Sequence, residues 1–409
     1  MKIAITIPTG RPGVTNVVKA FMENAIKHGY NPKDFSIYLS IDTEYQKTKL
    51  SDFKLDPRIV KKVRKVTYIS NKKRSLIGQE ILKASNASPE IIENLFVGRG
   101  YSKQRNSALY LAIKDGNDIA ICVDDDEAPF IPIKKENGEI YWKNLDFFTP
   151  HIKELTSGTD ITRGPYMGYQ SPIPSDFDKD IPEEIKEKLG EALKWGSEII
   201  TKYSFLNLLN QIKYLSEKEL ENKDATIVES GENGKQILTG NIGINLHSVI
   251  SGKIPVFYTP PEARGEDAIF ALQLQDVVVK EVKAYIFHDP FQIYPEIFEG
   301  KFPEILKGIP VTKESKERFS SALTGWLKYA PILIELTSKN KEEKERKMNE
   351  MLDKIEEPTQ ELAELLNLPE LKECKSILKK YYKEASNHHN NLRVVQKEWK
   401  NKIVPSLVN

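Results

Sequence analysis

The sequence predicts an α/β protein with a mainly parallel sheet, helices on both faces and a helical C-terminal region. Three observations carry this. Short apolar runs of strand type alternate with segments of helical periodicity over residues 3–123. One of those runs, "IAICV" at 119–123, ends in four consecutive acids, "DDDE". From about residue 300 the composition shifts to Lys, Glu and Leu at helical spacing. Strands alternating with helices imply right-handed crossovers, which place the strands parallel and cover both faces of the sheet.

Taken in order, "IAITIP" (3–8) reads as a short buried strand. "TGRPGV" follows as a turn into an amphipathic helix, "VTNVVKAFMENAIKHG", that stops at Gly29. "FSIYLSID" (35–42) is a second strand ending on Asp42, and "VRKVTYIS" (63–70) a third. "SKQRNSALYLAIKDG" (102–116) has helical spacing after the loop "VGRG" and stops at Gly116, and the acid-terminated strand comes next. "ITRGPYMGYQSPIPSDFD" (161–178), rich in Gly, Pro and Tyr, reads as loop, and 182–225 as mostly helical and charged. Strand-like character returns in "KQILTGNIGINL" (235–246), "PVFYTP" (255–260) and "VVVKEVKAYIFHDPF" (277–291), with the helical "EDAIFALQLQ" between the last two. We place a boundary near residue 300. Residues 1–300 form a catalytic-type unit with a partly helical insertion near 176–225, and 301–409 form an appended helical region.

Composition bounds the function. The 409 residues, 39% of them hydrophobic, suffice for a substantial core. Sixty basic and fifty-nine acidic residues nearly cancel, so nothing global favours nucleic acid or an anionic membrane as partner. Two cysteines, Cys122 and Cys374, make no disulfide framework, and a reducing compartment is the simpler expectation. The opening "MKIAITIPTG" is too brief for a secretory core, and no run approaches the ~20 apolar residues of a membrane span. A cytoplasmic protein is expected.

Ending a buried strand in Asp124, Asp125, Asp126 and Glu127 is costly unless water, a counter-charge or a cation faces them. Where a parallel strand ends the backbone turns, so Asp124 and Asp126 can converge on one ion. Oxygen ligands with few protein donors suit Mg2+ or Mn2+ shared with substrate phosphates. The competing reading is a solvated acidic turn or a helix start that welcomes negative charge. The position favours a site, because ligands of open α/β sheets bind at the carboxyl ends of the strands.

"ITIPTGRPG", "GRGYSKQRNSALYLA", "VDDDE", "TGNIGINL" and "RGEDAIFALQL" stand in an order that resembles GT-A glycosyltransferases, particularly family-2-like enzymes, over residues 1–290. The resemblance implies a GT-A, Rossmann-like fold and a nucleotide-activated sugar, a UDP- or GDP-sugar, as donor. It makes Asp126 the principal metal ligand, with Asp124 at the metal or donor ribose and Asp125 at the donor. Pro8, Thr9, Arg11 and Asp42 would line the nucleotide pocket, and Arg105 would lie near the base or diphosphate. Ser102, Lys103 and Arg105 beside a helix N-terminus also offer donors to an anion.

"RGEDAIF" is the second acidic centre. Transfer to a hydroxyl requires removal of its proton, and the resemblance assigns this to Asp267, with Glu266 holding the acceptor or the loop. An acidic helix N-terminus is the bland alternative. The basic residue that many inverting relatives carry further on is missing from "AIFALQLQD". His288, ending "VKAYIFHD", is a candidate third metal ligand, which would tilt the choice toward Mn2+. The region 301–409 offers no catalytic motif; packing against the catalytic unit is its simplest role, and a homo-oligomer interface is another. Tyr/Pro loop 165–174 is the acceptor candidate. Two other classes remain: a sugar-nucleotide nucleotidyltransferase, whose Gly-rich phosphate loop "PTGRPGVTN" fits poorly, and a non-catalytic nucleotide- or cation-binding scaffold.

Overall fold

The opening strand, β1 (Ile3–Thr9), is buried at every position, and its side chains divide between two cores. Ile3, Ile5 and Ile7 enter one and Ala4 the other, as the period of two requires of a strand covered on both faces. β2 (Phe35–Ile41) and β3 (Lys65–Ile69) continue the parallel sheet on one side of β1, and β4 (Ile119–Val123) lies parallel on the other. The structure, a computed structural model, describes residues 1–169, 174, 177–197, 212–222 and 224–407.

Eleven shorter strands follow. They are β5 (Glu127–Ala128), β6 (Ile131–Lys134), β7 (Ile140–Lys143), β8 (Ile161–Arg163), β9 (Tyr166–Tyr169) and β10 (Ile212–Lys213). β11 (Leu215–Ser216), β12 (Thr226–Ile227), β13 (Asn241–Asn245), β14 (Val279–Glu281) and β15 (Ile286–His288) complete the set. The main sheet has eight strands in the order β12-β14-β8-β13-β4-β1-β2-β3. It is mostly parallel: β13 runs antiparallel to both β4 and β8, and β12 antiparallel to β14. A four-stranded sheet, β10-β9-β15-β5, and a three-stranded one, β11-β6-β7, stand beside it.

The core containing Ile3, Ile5 and Ile7 is covered by the helices Val14–Lys27 and Phe148–Thr156. The opposite core starts from Ala4, Tyr38, Ala120 and Cys122 and takes in the helices Asn71–Ser85, Pro89–Phe96 and Tyr101–Lys114. It runs on without a break into the C-terminal helices Lys313–Thr337, Lys341–Lys354, Glu356–Leu365 and Cys374–Glu398, through buried residues such as Leu323, Leu327, Leu378 and Val395. The α/β sheet with helices on both faces and a helical C-terminal region is thus the predicted one.

Three local readings are corrected. Residues 161–178, read as loop, contain β8 and β9; β8 is held between β13 and β14, so pairing overrides the Gly and Pro content. The expected strand at 235–246 shrinks to β13, because the chain turns into the helix Leu246–Ile250. "PVFYTP" (255–260) forms no strand. Its Phe257 backbone is satisfied instead by the Asn106 amide, which donates to the carbonyl at 2.9 Å and accepts from the N–H at 3.1 Å. The helical expectation for 182–225 holds for Glu183–Leu193, while 198–211 and 223 lie outside the described residues.

Candidate active site

β1 and β4 run parallel, so Thr9 and Val123 end at one edge of the sheet. β13 is antiparallel and enters at that edge, with Asn241 paired to Val123. Residues 9–11, 124–127 and 239–240 therefore meet at one place.

The acids have partners on the protein. Arg11 Nη1 donates to Asp125 Oδ1 at 3.0 Å and to Asp126 Oδ2 at 2.8 Å. Asp125 Oδ2 also accepts from Thr9 Oγ1 at 2.7 Å and Gly10 N at 3.2 Å. Asp125 thus ties the loop after β1 to the turn after β4. Arg105, almost wholly buried, donates through Nη2 to both oxygens of Asp124 at 2.8 and 3.1 Å. Burial opposes the charge on each arginine, but the facing carboxylates outweigh it and hold both guanidiniums firmly protonated. Burial, only partly offset by Arg11, pushes Asp125 up to about 6. For Asp126, burial is overcome by His288 and Arg11, and its carboxyl lies below the ordinary range.

Glu127, the fourth acid, had no role in the sequence reading. It is buried, and its Oε2 accepts the Asp124 backbone N–H at 2.8 Å. Its Oε1 has no partner among the described residues, and neither do Arg105 Nε and Nη1. Burial and the neighbouring Asp124 raise its carboxyl well above the usual range. Gly240 makes this packing possible. A Cβ there would stand 2.3 Å from Glu127 Oε1 and 2.7 Å from both Asp124 Oδ2 and the Tyr166 hydroxyl.

Glu266 and Asp267 open the helix Glu266–Leu272 and face the same group from across β13. Asp267 Oδ1 accepts from the Thr239 hydroxyl, next to Gly240. Burial and Asp267 push Glu266 up to about 7, and burial likewise raises Asp267 against the pull of Arg105. The helix start carries both acids, as the bland alternative requires, yet their charges feel Arg105 and Asp124 rather than water.

His288 ends β15, and β15 pairs with β5, so His288 sits opposite Glu127. Its Nδ1 donates to the Tyr169 carbonyl, and its Nε2 stands 3.8 Å from Asp126 Oδ1. These two groups fit a divalent cation that takes its other positions from phosphates and water. Asp124 does not join them, since both its oxygens are engaged by Arg105. Among the described residues no group of three or more His, Cys, Asp or Glu is arranged to hold an ion.

A cleft of about 540 Å3 opens beside the acids, lined by Thr9, Asp42, Tyr45, Tyr101, Lys103 and Arg264 among others. Asp42 pairs there with Arg99 at 3.0 Å. Thr9 and Asp42 reach this cleft as predicted. Pro8 does not: it is buried within β1, paired to Ser40. Arg11 and Arg105 are turned to the acids rather than to the cleft. Tyr45, Tyr101 and Arg264 were missed, because isolated residues in loops and at a helix start carry no periodic signal. A second cleft, of about 310 Å3, lies beyond Tyr166 and is lined by Arg163, Lys213, Leu238, Lys283 and Tyr285 among others. The acceptor candidate 165–174 reaches it through Pro165, Tyr166 and Met167; its residues 170–173 lie outside the described ones.

No family model and no curated protein matches the chain. Among solved structures, S. aureus TarS aligns with a TM-score of 0.35 and 12% identity over 95% of this chain and 91% of that one. The same protein in complex with UDP-GlcNAc aligns with 0.36 and 11% over 95% and 92%. A mycobacterial protein aligns with 0.32 and 11% over 79% and 74%. The architecture is a mostly parallel eight-stranded sheet with acids at its carboxyl edge and a helical C-terminal region. No helix among the described residues is long and apolar enough to cross a membrane.

Proposed function

We propose that the chain transfers a sugar from a nucleoside-diphosphate sugar to an acceptor hydroxyl with inversion at the anomeric carbon. The observation that carries this is the meeting of two separate acidic centres, 124–127 and 266–267, at one sheet edge between two clefts. A phosphate-binding scaffold would need one anion-binding face; it would have no use for a second set of carboxylates.

The cleft with Tyr45 and Tyr101 suits the nucleoside, because both present aromatic surface for stacking while Lys103 and Arg264 supply positive charge. Mn2+ or Mg2+, held by Asp126 and His288, would supply charge neutralisation for the leaving diphosphate. Asp267 takes the proton of the acceptor hydroxyl as its oxygen bonds to the anomeric carbon and the bond to the diphosphate oxygen breaks. Thr239 orients Asp267 by occupying Oδ1, which leaves Oδ2 for the acceptor. Glu266 holds the acceptor or the loop. The cleft beyond Tyr166 is the acceptor side, where Arg163, Lys213 and Lys283 line its wall. Cys122 and Cys374, both buried and unpaired, suit a reducing, cytoplasmic setting.

Calorimetry with UDP and GDP, with and without Mn2+, tests the donor site. Metal-dependent binding of one nucleoside diphosphate supports it, a requirement for a nucleoside triphosphate points to nucleotidyl transfer, and no nucleotide binding removes the reading.

A further inference from the structure

The helix Lys313–Thr337 belongs to the C-terminal region, yet one stripe of it reaches the candidate site. Its start is fixed by Thr312, whose hydroxyl accepts the Ser315 N–H at 3.1 Å. Phe319 then locks the helix rotation by packing edge-on to Phe177 at 5.0 Å. Residues 318, 325 and 329, spaced seven and four apart, share one face. Two of them touch the loop that carries Glu266 and Asp267. A Cβ at Gly325 would stand 2.7 Å from Arg264 Cδ, and one at Gly265 2.6 Å from the Tyr329 ring. The third is Arg318.

Arg318 is anchored to the turn that follows His288. Its Nη1 donates to the Pro290 carbonyl at 2.5 Å, and its guanidinium carbon lies 4.2 Å over the Phe291 ring. Asp289, next to that carbonyl, donates its N–H to the Asp126 carbonyl at 2.9 Å, so the turn is bolted to the acid run. No carboxylate comes within ion-pair distance of Arg318 among the described residues. The charges it feels are those of Arg11, Tyr45, Asp126 and Glu314; burial and the like-charged Arg11 work against its protonation. Two guanidiniums that work against each other, one of them with no carboxylate partner among the described residues, are an unfavourable pairing in the free protein. Such a pairing is favourable once an anion with several acceptor oxygens arrives.

We infer that Arg318, from the helical C-terminal region, is a binding residue for the donor diphosphate, placing its planar fork on the phosphate oxygens opposite Arg11. The inference rests on the proposed donor site and deepens it: the C-terminal region is then part of the site rather than a packing appendage. It also assigns Arg318 to the phosphate rather than the nucleoside, because Arg318 does not line the 540 Å3 cleft that contains Tyr45.

The test compares UDP with UMP and GDP with GMP by calorimetry in Mn2+, for the parent, Arg318→Ala and Arg318→Lys. In the parent the preferred diphosphate binds more tightly than its monophosphate. Arg318→Ala should lose diphosphate affinity by a factor on the order of 10- to 100-fold, while the monophosphate changes by less than about twofold. Arg318→Lys, which keeps the charge but not the fork, should fall between. An undiminished diphosphate preference in Arg318→Ala overturns the inference, and so does an equal loss for both nucleotides. Thermal melting checks the fold, and Arg318→Gln is read by the same two criteria if the alanine variant does not fold. Failure of the parent to bind either diphosphate is a separate result, which removes the donor site itself.

Discussion

His151 supplies a test of how the sheet edge is held, because it joins β13, which starts at Asn241, to its neighbour β8. It is fully buried under the sheet. Its Nδ1 lies 2.7 Å from Thr162 Oγ1 on β8, and its Nε2 lies 3.1 Å from Asn241 Oδ1 on β13. The Asn241 amide nitrogen donates to the Ala284 carbonyl at 2.9 Å, so its oxygen faces the ring and Nε2 carries the proton. Burial, only partly offset by the Asn241 hydrogen bond, lowers the imidazole from 6.5 to about 4. The sign follows. The folded state prefers the neutral ring, so its contribution is complete above pH 6.5, where both states are neutral, and is lost as pH falls toward 4. The shift corresponds to about 3 kcal/mol at 1.36 kcal/mol per unit. Other buried groups titrate in this window, and Asp125 and Glu266 act in the opposite sense because their carboxyls are raised. The variant His151→Gln isolates the imidazole. Denaturant titrations of both proteins at intervals from pH 8 to pH 4 should show the variant less stable at pH 8. The gap should close by about 3 kcal/mol as the parent loses its histidine contribution. A gap that stays constant across that range would refute the buried neutral ring and the seam built on it.

Three further outcomes are expected. Asp126→Ala should abolish the metal-dependent part of nucleoside diphosphate binding and lower the melting temperature modestly, since the variant loses the Arg11 contact that favours the ionised carboxyl; unchanged metal dependence in calorimetry excludes Asp126 as a ligand. Asp267→Asn should cut turnover by a factor on the order of 10²–10⁴ at constant nucleotide affinity. Retained turnover in that variant returns the pair to helix capping. Arg105→Ala should destabilise the fold by roughly 3–5 kcal/mol through the unpaired Asp124, and adding Asp124→Asn should recover much of it; a double-mutant cycle with no coupling would show that the pair is not held in solution.

The sheet was legible in the sequence because β1, β2 and β4 are continuous apolar runs bounded by turn residues, as strands buried on both faces must be. β8 and β9 were not, because strands of three and four residues flanked by Gly164 and Pro165 carry no period. "PVFYTP" failed in the other direction: its apolar run serves a core, but its backbone partner is the Asn106 side chain, far away in the chain. The places of Asp126, His288, Asp267, Thr9 and Asp42 at strand ends and a helix start were legible in the sequence. What pairs with them was not. Arg74 is a case in point: a fully buried arginine held by the Ile41, Ile69 and Gly98 carbonyls, in a segment that reads as an ordinary charged helix.

The strand that ends in four acids is now understandable residue by residue. Asp124 is matched to Arg105, Asp125 to Arg11, Thr9 and Gly10, and Glu127 accepts the Asp124 N–H while burial raises its carboxyl well above the usual range. Three of the four acids thus have partners within the protein itself. Asp126 differs. Its Oδ2 shares the Arg11 nitrogen with Asp125, while its Oδ1 faces His288. Across Gly240, Asp267 differs in the same way, with one oxygen on Thr239 and the other unassigned. A run of like charge is thereby divided into a partnered middle and two ends that retain capacity for a ligand. Gly240 sets the distance between those ends, because a side chain there would displace Glu127, Asp124 and Tyr166 together. The proposed glycosyl transfer would use that division: charge on the leaving group would be handled at one end and the acceptor proton at the other, without the two carboxylates competing for the same cation.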